Sequence, residues 1–418
     1  MASGDLADVL AATKVNYDKK IKDLMPGECV LQEMTDFCKK DFSALGRSFN
    51  FPWLVKNEWG YTARGTTGAT ASLNASVNGV YEEAAVKPYE SWFNGRLTFT
   101  AAQRGSDSGK KAFESLATLK MKNVREMHRK VTEIKMLHGC ADIGTIASFS
   151  GSTITLNART SSPAILGLLP GAVIDIKQSD GTTDRTDAVN LTVASVDTSS
   201  STYAYTITFS AITGTPVAGD RVFLNGGSSS LTGSEMPGLM RLGAVTSGTL
   251  WGLTDAATNY SLLRANTKSS FGLATVAKLL KEQVRNVNHG GSGEYWMILH
   301  PDVYQSLAND ESAKQMFDSS YKENELKTGT KSLRLYSTSG SQLVLLAHPF
   351  QKEGSIGLFE KENIQRIGSS DHTMEIGGQE LLRWVTGTNY FDLADFTDQC
   401  VVLDKPAHNL TITGVTVA

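Results

Sequence analysis

The chain has 418 residues, a net charge of −3, and 40% hydrophobic against 20% charged residues. These values are typical of a folded protein with two or three domains, and they exclude wholesale disorder. The near-neutral charge also excludes the basic excess of a histone-like nucleic-acid binder. No apolar run approaches the roughly 20 residues of a membrane span, and we expect no signal peptide, because the N-terminus lacks the basic start and apolar core of one.

The first fifty residues predict an N-terminal amphipathic helix followed by mixed structure. Residues 4–24 carry apolar side chains at steps of three and four, and Pro26 with Gly27 ends that pattern. We expect this helix to dock on its own core or on a neighbouring subunit. Residues 28–50 predict a second short helical or extended piece.

Two strand-like segments between residues 51 and 102 predict a long hairpin. Residues 51–65 are rich in aromatic side chains, and residues 87–102 alternate apolar and polar positions at period two. The stretch between them is small and polar. Because a lone two-stranded hairpin is marginally stable in water, we expect this one to lie on a partner.

Ser108–His138 follows the hairpin and predicts one long helix. It has no Pro or Gly after Gly109, and Gly139 follows it as a C-cap would. Eight basic residues stand against three acidic ones, which indicates either a solvated face or a basic face toward nucleic acid. The apolar stripe that we expect to pack on a sheet comprises Phe113, Ala117, Met121, Val124, Met127, Val131 and Ile134.

Residues 145–227 are rich in Thr, Ser, Gly, Val and Asp, and turn signals separate their short alternating runs. Five or six short strands at this spacing predict a small all-β sandwich or barrel. The sharp compositional edges indicate an inserted module. The runs are residues 153–156, 173–176, 191–193, 203–209 and 221–224.

The last third predicts an α/β or α+β domain. A helix over residues 270–287 precedes two continuous apolar runs, Tyr295–Leu299 and Gln342–Ala347, which are typical of strands buried on both faces. A His-Pro pair ends each run, and a short helix is expected over residues 302–308. Further strands are predicted at residues 356–359, 374–376, 381–387 and 399–403.

No catalytic pattern stands out. The chain has no GxSxG, HExxH or P-loop motif, although a cryptic hydrolase stays open as an alternative. His300 and His348 could converge as metal ligands, but no acidic or Cys partner lies at ligand spacing, so no metal or cofactor is predicted. The four cysteines form no CxxC pair and are expected to be small buried hydrophobes.

The order of arm, hairpin, long helix and late-closing α/β domain resembles the Hong Kong 97 fold of tailed-bacteriophage major capsid proteins. Three stretches carry the resemblance: KPYESWFNGRLTFTAAQRG, MPGLMRLGAV followed by TLWGL, and YWMILHPDVYQSL. It covers nearly the whole chain apart from residues 141–230. That part looks like the small β-rich insertion of some members.

The resemblance implies an α+β fold whose parts have named roles. They are an N-terminal arm over 1–50, an E-loop hairpin over 51–104, the spine helix of the peripheral domain over 105–140, the β-rich insertion over 141–230, a return to the peripheral domain over 231–250, the axial domain over 251–375, and peripheral strands with the C-terminal tail over 376–418.

The implied function is that of a non-enzymatic shell protein. Many copies in hexamers and pentamers would enclose double-stranded DNA, with a portal, in a virion assembled in the host bacterial cytoplasm. Because only about fifty residues precede the hairpin, we expect a separate scaffolding protein. The alternatives are an encapsulin-type nanocompartment and, from the Thr/Ser/Gly-rich middle, a β-rich adhesin or carbohydrate-binding protein.

The resemblance also nominates residues for contacts. Lys56 or Lys87 in a covalent Lys–Asn cross-link is not expected, because no matching Asn and acidic catalyst is evident. Lys122 and Arg129 of the long helix are candidates to face DNA. The candidate inter-subunit residues of the E-loop are Trp59, Tyr61, Glu82, Glu83 and Trp92.

Overall fold

The computed structural model shows an α+β protein that is mostly strands with few helices. It divides into two compact units, described separately: residues 1–40, 89–236 and 366–399, and residues 41–88, 237–365 and 400–418. The helices predicted at 4–24 and 270–287 lie outside the described residues. The residues described are 29–39, 48–56, 58–61, 78–98, 116–233, 235–254, 264–269, 293–309, 332–336, 342–374, 383–385 and 388–416.

The helices of the described residues are α1 (Val30–Met34), α2 (Leu116–His138), α3 (Pro163–Gly167), α4 (Leu239–Leu242) and α5 (Pro301–Asn309), with short 3₁₀ turns at Lys361–Asn363 and Pro406–His408. The strands are β1 (Phe37–Lys39), β2 (Phe49–Lys56), β3 (Val80–Val86), β4 (Tyr89–Thr98), β5 (Gly144–Ser150), β6 (Thr153–Leu156), β7 (Val173–Lys177), β8 (Leu191–Asp197), β9 (Thr206–Phe209), β10 (Arg221–Leu224), β11 (Thr249–Leu250), β12 (Leu253–Thr254), β13 (Asn266–Lys268), β14 (Glu294–Leu299), β15 (Ser332–Tyr336), β16 (Gln342–Ala347), β17 (Ser355–Glu360), β18 (Ile364–Thr373), β19 (Arg383–Trp384), β20 (Tyr390–Leu403) and β21 (Leu410–Thr413).

The first unit is built on a five-stranded sheet in which β20 is the central strand. β20 pairs antiparallel with β4 from Tyr390 to Gln399, and the path of the other strands is β1-β18-β20-β19. Side chains of β20 alternate between buried and half-buried positions from Leu393 to Gln399, as a sheet covered on one face requires. The helix α2 packs on β4 and provides that cover.

The close approach of α2 to β4 depends on Gly95. A Cβ atom at this glycine would lie 2.4 Å from the Cγ2 atom of Val124, a distance that real Cβ contacts do not show. Val124 is buried, as the predicted apolar stripe requires. The missing side chain on the strand therefore makes the groove that receives the helix.

The buried surface of α2 is wider and more polar than the predicted stripe. Its last turns bury apolar and polar side chains together, and Glu133 is completely buried. The Glu133 carboxylate accepts the backbone N–H groups of Leu31 and Gln32 in the first turn of α1. These N–H groups have no partner within their own helix, so a distant residue supplies the cap.

Six strands between residues 144 and 224 form a closed barrel in the order β10-β5-β6-β9-β8-β7. Closure leaves no unpaired sheet edge. The buried Asp175 carboxylate accepts the backbone N–H groups of Asn190 and Gly226, both at 2.7 Å, and thereby fixes two turns. The strands predicted at 153–156 and 221–224 are confirmed, whereas β5 was not predicted.

The second unit contains a six-stranded mixed sheet in the order β13-β21-β17-β14-β16-β15. β14 lies between β16 and β17, and both faces of the sheet are covered by apolar side chains. Its continuous apolar sequence follows from this double burial. The strands predicted at 295–299, 342–347 and 356–359 and the helix predicted at 302–308 are confirmed.

The two His-Pro pairs end the neighbouring parallel strands β14 and β16 and act as turn caps. The Nδ1 atom of His300 accepts the backbone N–H of Asp302 at 3.3 Å, and that of His348 accepts the N–H of Phe350 at 3.1 Å. In each turn, the imidazole thus accepts a hydrogen bond from a backbone N–H that lies just beyond the His-Pro pair and outside the strand.

Two sequence predictions need correction, and two others lie partly outside the described residues. β2 pairs with Val80–Val86, in the stretch predicted as the hairpin tip, and the later strand β4 pairs with β20 instead. Both candidate strands alternate at period two, and that pattern does not specify a partner. Of the strand predicted at 374–376, residue 374 follows the end of β18 at Thr373, and residues 375 and 376 lie outside the described residues. Cys38 is exposed, because it lies in the short strand β1 and points outward. The long helix is described only from Leu116, and its predicted start lies outside the described residues.

The fit of α2 on β4 gives a testable prediction. Gly95→Ala should lower the free energy of unfolding by about 1–3 kcal/mol, because the new methyl group overpacks the contact with Val124. Chemical denaturation measures the change. In a Val124→Ala background the penalty should shrink, since the conflicting methyl group is gone. An equal penalty in both backgrounds would show that the contact does not limit the helix position.

Candidate functional site

The hairpin β2–β3 has one face that packs within its own unit. Phe51 and Trp53 cover Ala84 and contact Trp251 and Leu253 of the small β11–β12 hairpin. The two tryptophan rings meet edge to face, with centroids 5.6 Å apart. The Ala85 N–H also donates to the Trp251 carbonyl at 2.9 Å. This face is therefore fixed by contacts inside the chain.

The opposite face of the same hairpin carries large apolar side chains that lie in water. Leu54 and Tyr81 stand directly opposite each other in the register and are 49% and 73% exposed. Beyond this face, Trp59 and Tyr61, which follow β2, are 70% and 73% exposed, and Val80, at the start of β3 on the side of Glu82, is also exposed. We call these five residues the hairpin patch. Exposed groups of large apolar side chains mark interaction surfaces on soluble proteins.

The predicted inter-subunit residues fall into two groups. Trp59 and Tyr61 belong to the hairpin patch, and Glu83 is exposed on β3, where it accepts a hydrogen bond from the Asn50 side chain at 3.1 Å. Glu82 is half-buried on the face of Trp53. Trp92 lies in β4, outside the hairpin, and its ring is 4.6 Å from that of Phe396 on the exposed face of the sheet. Their contacts with another subunit stay a prediction.

The predicted DNA-facing residues differ in exposure. Lys122 is exposed and Arg129 is half-buried. The Arg129 carbonyl accepts a hydrogen bond from the Gln32 side chain at 2.6 Å, so its turn of α2 is covered by α1. Lys130 is buried, and the basic residues of α2 do not share one solvent-exposed face. Lys122 is the better candidate of the two.

A buried cluster of two histidines and an aspartate lies where α2 crosses the sheet. The Nδ1 atoms of His128 and His372 lie 2.6 Å and 2.9 Å from the same oxygen, Oδ2, of Asp395. The Nε2 atom of His128 lies 3.1 Å from the Ser91 hydroxyl. Three elements, α2, β18 and β20, each provide one member. We call His128, His372 and Asp395 the histidine cluster.

The environment of the histidine cluster favours neutral imidazole beside an ionised carboxylate. Burial lowers the pKa of His128, and the hydrogen bond to Asp395 opposes that shift only in part. The pKa of Asp395 is lowered although burial acts to raise it, because the hydrogen bonds from both imidazoles favour the charged form. A neutral imidazole is the form that binds metal ions.

Ser91, His128 and Asp395 also have the connectivity of a Ser-His-Asp relay. In hydrolases this order lets the imidazole take the hydroxyl proton during attack on a carbonyl. Here the serine is the third residue of β4, opposite Thr397. The imidazole is fully buried under the helix. The three side chains therefore have the contacts of a catalytic relay, but the serine that would be the nucleophile is held within a strand.

Two sets of side chains among the described residues have metal-ligating groups close together. One is the histidine cluster, and the other is His300, Asp302 and Glu353. In the second set the Asp302 side chain is 49% exposed and 3.6 Å from His300. The His300 Nδ1 atom is already used by the backbone of Asp302. The histidine cluster is thus the better-formed set.

A small polar pocket adjoins Ser91 and contains the buried carboxyl of Glu235. Burial raises the pKa of Glu235, while the charge of Lys135 and the backbone N–H of Cys140 act in the opposite direction. The pocket is lined by Tyr89, Glu90, Ser91, Thr132, Lys135, Glu235, Met236, Thr397 and Gln399. Its buried carboxyl makes the stability of this unit sensitive to pH.

Sequence reasoning missed the histidine cluster. Its members are far apart in the chain, since His128 and Asp395 are separated by 267 positions. His128 has the helical spacing of the buried residue Val124, four positions earlier, and that position is the one signal that predicted burial. Nothing in the local sequence of β18 or β20 indicates which residue the imidazole meets.

Comparison with known proteins identifies the fold. No protein-family model and no curated protein matches the chain. The capsid of a native GTA particle is similar, with a TM-score of 0.52 and 7% identity over 97% of this chain and 99% of that chain. A cyanophage A-1(L) capsid chain has a TM-score of 0.49 and 9% identity over 97% and 99% of the two chains. An encapsulin complex from Synechococcus elongatus gives 0.44 and 7% over 100% and 98%.

These likenesses extend over almost the whole chain, and at such low identities they concern the fold alone. The chain shares the fold of the GTA particle capsid protein, and the resemblance seen in the sequence is confirmed at the level of a capsid-protein fold. Among the described residues, no helix is both long and apolar enough to cross a membrane.

The buried carboxyl of Glu235 gives a prediction about pH. A raised pKa in the folded state means that the Glu235 contribution to stability is full below the unfolded value of 4.5 and is lost as pH rises through the folded value. Glu235→Gln removes this loss, so the variant should gain stability relative to the wild type between pH 4 and pH 8. Thermal unfolding at both pH values measures the difference, and a difference that is the same at both would contradict the assignment.

Proposed function

We propose that the chain is the major capsid protein of a tailed bacteriophage, a non-enzymatic subunit whose copies close into an icosahedral shell around double-stranded DNA. The observation that carries this proposal is the hairpin patch on a chain with a capsid-protein fold. A single subunit leaves these five large side chains in water. Burying one such side chain contributes about 1.5–3 kcal/mol, so a repeated neighbour gives each of them a stabilising place.

The parts of the chain have the roles of the Hong Kong 97 fold in this proposal. The β2–β3 hairpin is the E-loop that lies on a neighbouring subunit, and α2 is the spine helix. The six-stranded sheet and α5 belong largely to the axial domain at the five- and six-fold centres. The barrel over residues 144–224 is an inserted module on the shell, and the arm over 1–50 reaches another subunit.

The partners follow from the same assignment. Copies of the chain form hexamers and pentamers, a separate scaffolding protein guides their closure, and a portal occupies one vertex. Assembly takes place in the host bacterial cytoplasm and the product is the virion. Closed symmetric assemblies gain stability by repeating one set of modest contacts many times.

An encapsulin-type nanocompartment is the alternative that the same fold allows. The contents of the particle separate the two functions, because a virion encloses DNA and a nanocompartment encloses cargo protein. The experiment is to express the chain alone and with candidate scaffolding proteins, and to examine the products by negative-stain microscopy and nucleic-acid analysis. Stable monomers under every condition would contradict both functions and favour a binding protein.

The hairpin patch gives a sharper test. The double variant Leu54→Asp and Tyr81→Asp should fold normally and lose shell formation by at least about tenfold, because two charges would be buried at the contact. Circular dichroism checks the fold, and sedimentation with microscopy counts shells.

The matched control for the hairpin patch is Val217→Asp. Val217 is an apolar residue of the barrel region with the same exposure as Leu54, 49%, so the control matches the Leu54→Asp half of the hairpin variant in charge and exposure. Shell formation should be retained in this control. Normal assembly of the hairpin variant would remove the patch as a contact.

The possible role of Lys122 toward DNA is tested by charge reversal. Lys122→Glu should leave shell formation intact and reduce the DNA packaged per particle, because a cation near the phosphates would become an anion. The ratio of absorbance at 260 and 280 nm of purified particles measures packaging, with Lys122→Arg as the charge-conserving control. Adding Arg129→Glu should increase the effect only modestly, since Arg129 is half-buried. Unchanged packaging in the double variant would exclude this part of α2 as a DNA contact.

A further inference from the structure

We propose that the histidine cluster is a binding site for one divalent transition metal ion, with zinc as the ion that its ligands fit best. His128, His372 and Asp395 would coordinate the ion inside the first unit. Two imidazole nitrogens and one carboxylate oxygen form a ligand set that zinc uses in proteins, with a water molecule completing four-coordination.

The positions of the three side chains fit this role closely. The ligating atoms of all three lie within 4.8 Å of one another. In a tetrahedral zinc site, neighbouring ligand atoms are about 3.3 Å apart. The two nitrogen–oxygen distances of 2.6 Å and 2.9 Å therefore need to widen by less than about 1 Å, which side-chain rotation supplies.

Two buried polar atoms of the cluster have no hydrogen-bond partner among the described residues. They are Oδ1 of Asp395 and Nε2 of His372. The Asp395 side chain is fully buried and that of His372 is 5% exposed. An unsatisfied buried carboxylate oxygen is costly, and a cation held at Oδ2 of the same carboxylate lowers this cost by its charge. The cluster therefore has a buried carboxylate that is only partly hydrogen-bonded, beside two imidazoles.

The surroundings of His128 supply the contact that a metal-bound histidine needs. When Nδ1 binds the ion, the ring proton must be on Nε2. That atom lies 3.1 Å from the Ser91 hydroxyl, which accepts the hydrogen bond. Such an outer hydrogen bond fixes the ring orientation and tautomer of a metal ligand. Ser91 would therefore be a positioning residue in this site.

The ion would join three elements that are distant in the chain. His128 belongs to α2, His372 to β18 and Asp395 to β20, and the sequence separations from Asp395 are 267 and 23 positions. Because the unfolded chain does not hold these groups together, the ion binds the folded state and stabilises it. The site would thus fix the long helix on its sheet in each subunit.

The test uses the full-length chain carrying no histidine tag. Purified protein, freed of metal by a chelator, is titrated with zinc, and metal content is measured by elemental analysis. Cobalt is added in a parallel experiment, because a tetrahedral cobalt site absorbs visible light. At a zinc concentration 100-fold above Kd, the ratio of folded to unfolded protein should rise about 100-fold, seen as a higher Tm.

The variants separate coordination from simple loss of structure. His372→Asn should bind no zinc and show no rise in Tm on adding it, whatever its own starting stability. The control is His408→Asn, which removes a histidine paired with Glu360 at 2.7 Å in the other unit. This control should keep one zinc per chain. Ser91→Ala should keep binding with lower affinity, by about 10–100-fold.

One zinc per chain, a visible cobalt spectrum, and loss of both in His372→Asn support the proposal. The absence of stoichiometric zinc and of a cobalt spectrum in the wild type would overturn it and leave a hydrogen-bonded cluster. Zinc binding that survives His372→Asn and Asp395→Asn together would place the ion elsewhere, and it would also overturn the proposal.

Discussion

The packing of the long helix α2 on the sheet of the first unit is the contact on which that unit depends. A glycine in β4 makes room for Val124, and one turn later His128 reaches Asp395 on the central strand. Another turn on, Glu133 caps α1. The barrel follows within a few residues of the helix end. A displacement of this helix would therefore disturb the sheet, the short helix and the buried polar cluster together, since densely packed interiors transmit such changes.

The sequence was informative where local pattern and burial agree. Continuous apolar runs predicted β14 and β16, because strands covered on both faces have no polar side to interrupt them. Closely spaced turn residues predicted the short strands between residues 145 and 227, several of them with correct bounds. The end of α2 at His138 was also predicted, since Gly139 follows the last apolar positions.

The sequence was uninformative where two distant segments decide the outcome. The predicted partner of β2 was wrong, because side chains alternate at period two in both β3 and β4, and this periodicity does not select between the two strands. β18 has a polar sequence and was missed, since its pairing with β1 and β20 holds it in the sheet. The buried polar residues of α2, such as His128 and Glu133, have the composition of a solvated face until their partners are known.

The hairpin β2–β3 shows why a sequence pattern can predict a strand without predicting what the strand contacts. Both of its faces carry large apolar side chains, so amphipathic pattern alone gives no reason to call one face a core and the other an interface. Trp53 packs against Trp251 of its own chain. Tyr81, on the other face, is 73% exposed and is not covered by any of the described residues. A face that stays apolar without an internal partner is costly for a lone subunit and useful for one that is always surrounded by copies. The same reasoning applies inside the subunit, where the histidine cluster gathers ligating atoms beyond those its own hydrogen bonds use. In both places the proposed contacts rest on groups that have no partner among the described residues, rather than on the satisfied ones.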